Sequence, residues 1–282
     1  MKHFVHPTSI VRRIWGSADT VLFIFAGAAA EFALNKAVDW LYFTRRLPAD
    51  PLGRLFSTVD YARRIVFADR AGAEKAIDSM AAIHAAVEAR RGWPIPAWAY
   101  RDVLFMLIAY SIRAFELLER PLTPAEKEEI TDVFCRVGRR MGIPEVPTSY
   151  TSWLAARTRH LSHNLEASAF TADLYAQYRK HLGGVRYTML RGVQGILVPP
   201  VVRELLQLPS GTGLRLAVAA YSHTKGWPPS QWLKRALLPA DYRARIQALD
   251  VAPEPMAAVA PAGRSCPFTG KRKQVTPAII SQ

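Results

Sequence analysis

Residues 50–90 read DPLGRLFSTVDYARRIVFADRAGAEKAIDSMAAIHAAVEAR, and this stretch decides the fold class. Asp50-Pro51 is an N-cap followed by proline at the first helical position, where the missing N–H costs nothing. Apolar residues then recur at helical spacing from Leu52 to Phe67. Asp69 can cap a second helix that runs to about Arg91 and is closed by Gly92 and Pro94. Two long helices in succession predict an all-α protein.

Outward from these two helices the pattern repeats. A helix is predicted over Ala18–Phe43, another from Pro96 to Glu119 around the apolar run VLFMLIAYSI, and a third from the capping box Thr123-Pro124-Ala125-Glu126 to about Met141. A long amphipathic segment runs from Tyr150 to about Leu182, where Gly183-Gly184 ends it. Three shorter helices are expected over 186–206, 211–224 and 228–248. Strand alternation bounded by hairpin turns is nearly absent. The expected organisation is a lead over 1–15, one large multi-helix domain over 16–249, and a Pro/Ala-rich basic tail over 250–282.

A chain of 282 residues can bury a large core, and half of its residues are hydrophobic. The net charge of +14 favours anionic partners such as lipid headgroups or an anionic cofactor. The Lys and Arg residues are spread out, and no zinc-knuckle, basic-zipper or aromatic RNA-binding pattern accompanies them, so specific nucleic-acid binding is not expected. Two cysteines, Cys135 and Cys266, are too few for a disulfide scaffold and fit a reducing cytoplasm. Lys2, Arg12 and Arg13 precede the apolar run Val21–Ala30, whose end, AGAAAEFA, is similar to a small-residue cleavage site. The helical pattern continues past it, so an early core helix is expected rather than a removed signal. The run is too short to span a bilayer.

His84 is the chemically suggestive residue of the second helix. Ala81, Ala82, Ala85 and Ala86 flank it, and Ile77 and Met80 stand two turns and one turn before it. From the residues alone it is either a satisfied core histidine, the commoner case, or an axial ligand to a macrocycle that the small neighbours admit. Arg54 and Thr58 share a face of the preceding helix at i and i+4. His160, His163 and Glu166 are spaced three apart and form a conceivable metal face, though a polar helix face is the commoner reading. Tyr175, Tyr178 and Tyr187 could line a cavity wall or pack in a core. Cys266-Pro267 lies in the tail.

The run Ala49–Thr58, the Ile83-His84-Ala85-Ala86-Val87 segment, the stretch Leu118–Pro147 and the later Leu197-Val198-Pro199-Pro200 together resemble the rubber-oxygenase and MpaB-like haem oxygenase family over about residues 15–248. The resemblance implies an all-α fold enclosing haem b, with His84 as the iron ligand and Arg54 and Thr58 as catalytic residues beside the cofactor. Ile77 and Met80 would pack against it. It also implies an oxidoreductase that uses O2 on a hydrophobic, isoprenoid-like or other alkene-containing substrate. A peripheral contact with anionic membrane is expected beside a cytoplasmic location. The rubber-cleaving branch carries a lysine just before the matching threonine, and Ser57 stands there instead. The alternative is a non-catalytic helical protein that binds haem or another hydrophobic ligand.

Overall fold

A computed structural model of the chain describes residues 3–43, 51–224 and 248–250. Its elements are α1 (Ile10–Trp15), α2 (Ala18–Phe32), α3 (Asp39–Phe43), α4 (Pro51–Phe67), α5 (Arg70–Arg91) and α6 (Ala97–Leu118). They continue as α7 (Pro124–Arg140), α8 (Tyr150–His163), α9 (Ala169–Leu197), α10 (Pro200–Leu205) and α11 (Thr212–Thr224), with a 3-10 turn at Ala248–Asp250. Among the described residues no strand forms, only the isolated bridges His3–Asp69 and Asn35–Leu165. The fold is all-α, as the sequence predicts. Among the described residues no helix is long and apolar enough to cross a membrane.

Local signals set several ends as expected. The Asp69 carboxylate accepts from Gly72 N at 2.8 Å and starts α5, and Gly92 ends it at a left-handed φ of 80°. Thr123 and Glu126 complete a reciprocal capping box on α7. Proline-opened α4 and α5 pack on each other across the short Ala68–Asp69 connection, so the pair is an antiparallel hairpin.

The apolar run of α6 packs against α2 at the centre of the molecule. One contiguous core extends from Phe4 to Leu249, with Trp15 fully buried against Phe25 and Phe134. Residues 1–15, expected as a lead, supply Val5, Ile10, Val11, Ile14 and Trp15 to that core. The segment similar to a cleavage site lies within α2 and the residue after it, with Gly27, Ala30, Glu31 and Ala33 buried. The expected tail and nearly all of the 228–248 helix lie outside the described residues.

Two predicted helices are each divided. Ala18–Phe43 is interrupted between α2 and α3, and Tyr150–Leu182 is interrupted between α8 and α9. The two breaks meet. Lys36 N donates to Asn164 O at 3.0 Å and Glu166 N to Leu34 O at 2.8 Å, so each loop satisfies the other's backbone. Asn35 and Asn164 then turn their amides onto one buried carboxylate, Asp102, at 3.0 and 2.9 Å. Helical periodicity carries no sign of such a long-range exchange. Conversely, Gly183 (φ 73°, ψ 170°) kinks α9 without ending it, and the helix expected over 186–206 is divided at Val198-Pro199.

Candidate functional site

His84 sits two-thirds of the way along α5, on the side turned toward α6. Ile77 is fully buried in the main core, Met80 is half-buried against it, and His84 follows half-buried. Ala82, Ala85 and Ala86 are exposed, and the helix neighbours on the face of His84 itself are Met80, Ala81, Val87 and Glu88, all half-buried. The His84 Nδ1 lies 2.8 Å from the Met80 carbonyl oxygen. A carbonyl can only accept, so Nδ1 carries the proton and the lone pair belongs to Nε2. The edge of the imidazole meets the Tyr100 ring at 5.3 Å between centroids. The Tyr100 hydroxyl in turn donates to Glu88 Oε1 at 3.0 Å, which also accepts from Ile95 N at 2.8 Å. Burial first, and then Glu88, push the Tyr100 phenol well above its ordinary range, so it remains a donor.

Thr58 is half-buried on α4 between the buried Phe56 and Val59. The Arg54 backbone belongs to α4, and its side chain lies outside the described residues. Arg54 lies thirteen residues before the last residue of α4, and His84 fourteen residues after the first of α5. With a rise of ~1.5 Å per residue, each lies about 20 Å along its own helix from the connection. Thr58 is one turn nearer the connection.

The densest polar constellation is elsewhere, in the core between α2, α6 and α8. Glu31 is completely buried and receives both guanidinium nitrogens of Arg157, the His160 Nε2 at 2.8 Å and the Tyr110 hydroxyl at 2.8 Å. On the other side of the same imidazole, His160 Nδ1 lies 2.7 Å from Asp102 Oδ1, off the N–H axis, which makes that contact an ion pair rather than an aligned hydrogen bond. Burial alone would raise the Glu31 carboxyl, but Arg157 and His160 outweigh it and hold the group at about 2. Burial likewise opposes the charge on His160, and Asp102 and Glu31 outweigh it to raise the imidazole above its ordinary value.

The metal face suggested by His160, His163 and Glu166 does not form. Helix α8 ends at His163, whose Nδ1 faces the Arg159 carbonyl at 2.9 Å. Glu166, in the next loop, pairs across 3.9 Å with Lys36, while His160 is turned into the core. Among the described residues no group of three or more His, Cys, Asp or Glu side chains is placed to hold a metal ion. Tyr178 belongs to a small second core with Ala33 and Leu174, and Tyr175 and Tyr187 pack against it. Tyr175 donates to Gln194 Oε1 at 2.9 Å. Cys135 is buried, and burial pushes its thiol up to about 11, while Cys266 lies outside the described residues.

Glu31, Asp102 and Arg157 were not singled out by the sequence. The available signal is local: Glu31 follows the apolar run 21–30 directly, and Asp102 opens the apolar run 103–112. A lone carboxylate beside so apolar a helix face needs a buried cation or donor.

A family model described as ER-bound oxygenase mpaB/B'/Rubber oxygenase, catalytic domain, matches residues 12–227. No curated protein and no solved structure gives a significant match to the chain.

Proposed function

The chain belongs to the ER-bound oxygenase mpaB/B'/rubber oxygenase catalytic-domain family, and from that premise we propose that it is a haem b-dependent oxygenase acting with O2 on a hydrophobic, alkene-containing substrate of isoprenoid type. The observation that carries this reading is the orientation of His84. Its Nδ1 lies 2.8 Å from the Met80 carbonyl oxygen, which fixes the tautomer with the lone pair on Nε2, the form in which an imidazole can bind iron.

In this reading His84 would hold the iron, with Met80 beside it and Ile77 supporting the helix from the core. Arg54, on α4, would supply a cation for a propionate or for other negative charge in the pocket. Thr58 supplies a hydroxyl one turn away. Tyr100 fixes the imidazole plane from the side. A bound haem b would supply the activation of O2 and the oxidative attack on the double bond. The chain's own work is to hold, orient and keep water from the apolar partner. The net charge of +14 and the exposed Trp93 (72% exposed) support a peripheral contact with anionic membrane on the cytoplasmic side.

The test is an absorption spectrum of freshly purified protein, followed by haemin titration of the wild type and His84→Ala. A Soret band that His84→Ala abolishes, carbon monoxide binding after reduction, and O2 consumption with an alkene substrate are the expected results. A full Soret band in His84→Ala removes the ligand assignment. Carbon monoxide binding without O2 consumption across alkene substrates would identify a haem-binding module instead.

A further inference from the structure

The His84 helix and the buried polar core are joined through the start of α6. Tyr100, which meets the His84 ring and holds Glu88, is two residues before Asp102, which meets His160. Asp102 is fixed from three other elements: Asn35 and Asn164 donate to its Oδ2 from the two crossed loops, and His160 faces its Oδ1 from α8. The first turns of α6 therefore lie between a half-buried imidazole on one side and a buried one on the other.

We propose that His160 is a positioning residue for the His84 site: as an imidazolium shared by Glu31 and Asp102 it anchors the start of α6, and losing its proton loosens Tyr100 against His84. The proposal rests on the reading of His84 given above.

The argument is one of proton count. Both ring nitrogens of His160 face carboxylate oxygens, Nε2 to Glu31 at 2.8 Å and Nδ1 to Asp102 at 2.7 Å. Only the imidazolium has two N–H groups. A neutral ring must turn a lone pair toward one of the carboxylates. Glu31 keeps Arg157 and Tyr110 in that event, and Asp102 keeps only the two asparagine amides. Asp102 is therefore the partner that is left short of charge.

The charges point the same way. Facing His160 are Glu31 from α2, Asp102 from α6 and Arg157 from its own helix, with Tyr110 and Arg113 of α6 behind Glu31. Arg157 and Arg113 lie on the Glu31 side of the cluster, whereas Asp102 faces the two asparagine amides and His160. Removal of the imidazolium proton to solvent therefore takes away the cation in contact with Asp102. The raised imidazole value places that event on the alkaline side of an ordinary histidine.

The test uses the full-length protein with 13C-labelled histidine rings, read by NMR across pH with and without haemin. Wild-type His84 should show an alkaline step that coincides with the titration of His160. His160→Gln should remove that step while the far-ultraviolet signal stays helical. Asp102→Asn should shift the His160 midpoint and the His84 step downward together. Tyr100→Leu, a half-buried site that spares the core, should uncouple the two, leaving the His160 titration and abolishing its echo at His84. Where haemin binds, its affinity should fall about five- to tenfold across the alkaline step, in the range of ordinary site-to-site coupling. Persistence of the His84 step in His160→Gln or Tyr100→Leu would overturn the proposal. Absence of haemin binding in every variant would instead defeat the haem reading, and the histidine signals would still decide the coupling.

Discussion

The Tyr110 ring lies directly over Gly27: a Cβ built on Gly27 would come within 2.3 Å of Tyr110 Cδ1 and 2.4 Å of Cε1. Glycine inside a helix costs about 1 kcal/mol relative to alanine, so the close approach of α6 to α2 is what the glycine serves. It also lets the Tyr110 hydroxyl reach Glu31, one turn further along α2. Gly27→Ala should therefore destabilise the protein by about 1–3 kcal/mol despite the better helix propensity, because the ring is fully buried and must shift. Urea unfolding would show a lower midpoint at an unchanged slope. A midpoint equal to or above the wild type would mean that the ring relaxes without penalty.

Glu31 is the shared acceptor of Arg157, His160 and Tyr110. Glu31→Ala leaves the Arg157 guanidinium buried without the carboxylate that pairs with it and the His160 imidazolium with Asp102 alone, a loss of about 3–5 kcal/mol. Arg157→Met combined with Glu31→Leu should be less damaging than Glu31→Ala alone, because no unpaired charge then depends on that carboxylate except His160, which can shed its proton. Chemical denaturation of the two variants measures the difference. Equal losses would show that packing volume, not charge, governs this position.

The pH profile follows from the two opposite shifts. The Glu31 carboxyl is held down to about 2, below its unfolded value, so its contribution is complete above the ordinary carboxylate range and is lost progressively as pH falls from that range to about 2. The His160 imidazole is raised, so its contribution is complete below the ordinary histidine value and is lost as pH rises through the raised one. Thermal unfolding between pH 4 and 10 should show an alkaline decline that His160→Gln flattens. A wild-type profile that is flat on the alkaline side would contradict the assigned charge state.

Helix content and several boundaries were readable because they are local. Asp69, Gly92 and the Thr123/Glu126 box act within four residues of the ends they set. The breaks at 33–38 and 164–168 were not readable, because each exists to serve the other across the fold through Lys36 with Asn164 and Glu166 with Leu34. The His160 side chain illustrates the same limit. Spacing grouped it with His163 and Glu166 on one strip of sequence, whereas its partners come from residues 31 and 102. The two helices that carry Arg54 and His84 were legible for the same local reason, but their packing into a hairpin was not. The polar core was not, since nothing local to Glu31 names Arg157.

The contrast between Asn164 and Glu166 separates the buried network from the exposed crossing beside it. Asn164 gives its amide to both oxygens of Asp102, at 3.2 and 2.9 Å, in a site where Asp102 is 2% exposed. Glu166 makes only a 3.9 Å ion pair with Lys36, between side chains 60% and 45% exposed. Asn164→Ala should cost about 1–3 kcal/mol, the worth of a hydrogen bond to a charged buried acceptor. Glu166→Ala should change stability little, since a solvated pair of this kind contributes at most a few tenths of a kcal/mol (~0–0.5). Amide exchange refines the test: the Lys36 and Glu166 amides that cross between the loops should lose protection in Asn164→Ala and keep it in Glu166→Ala. The reverse ranking would mean that the loop crossing is held by its surface charges and not by the carboxylate beneath it.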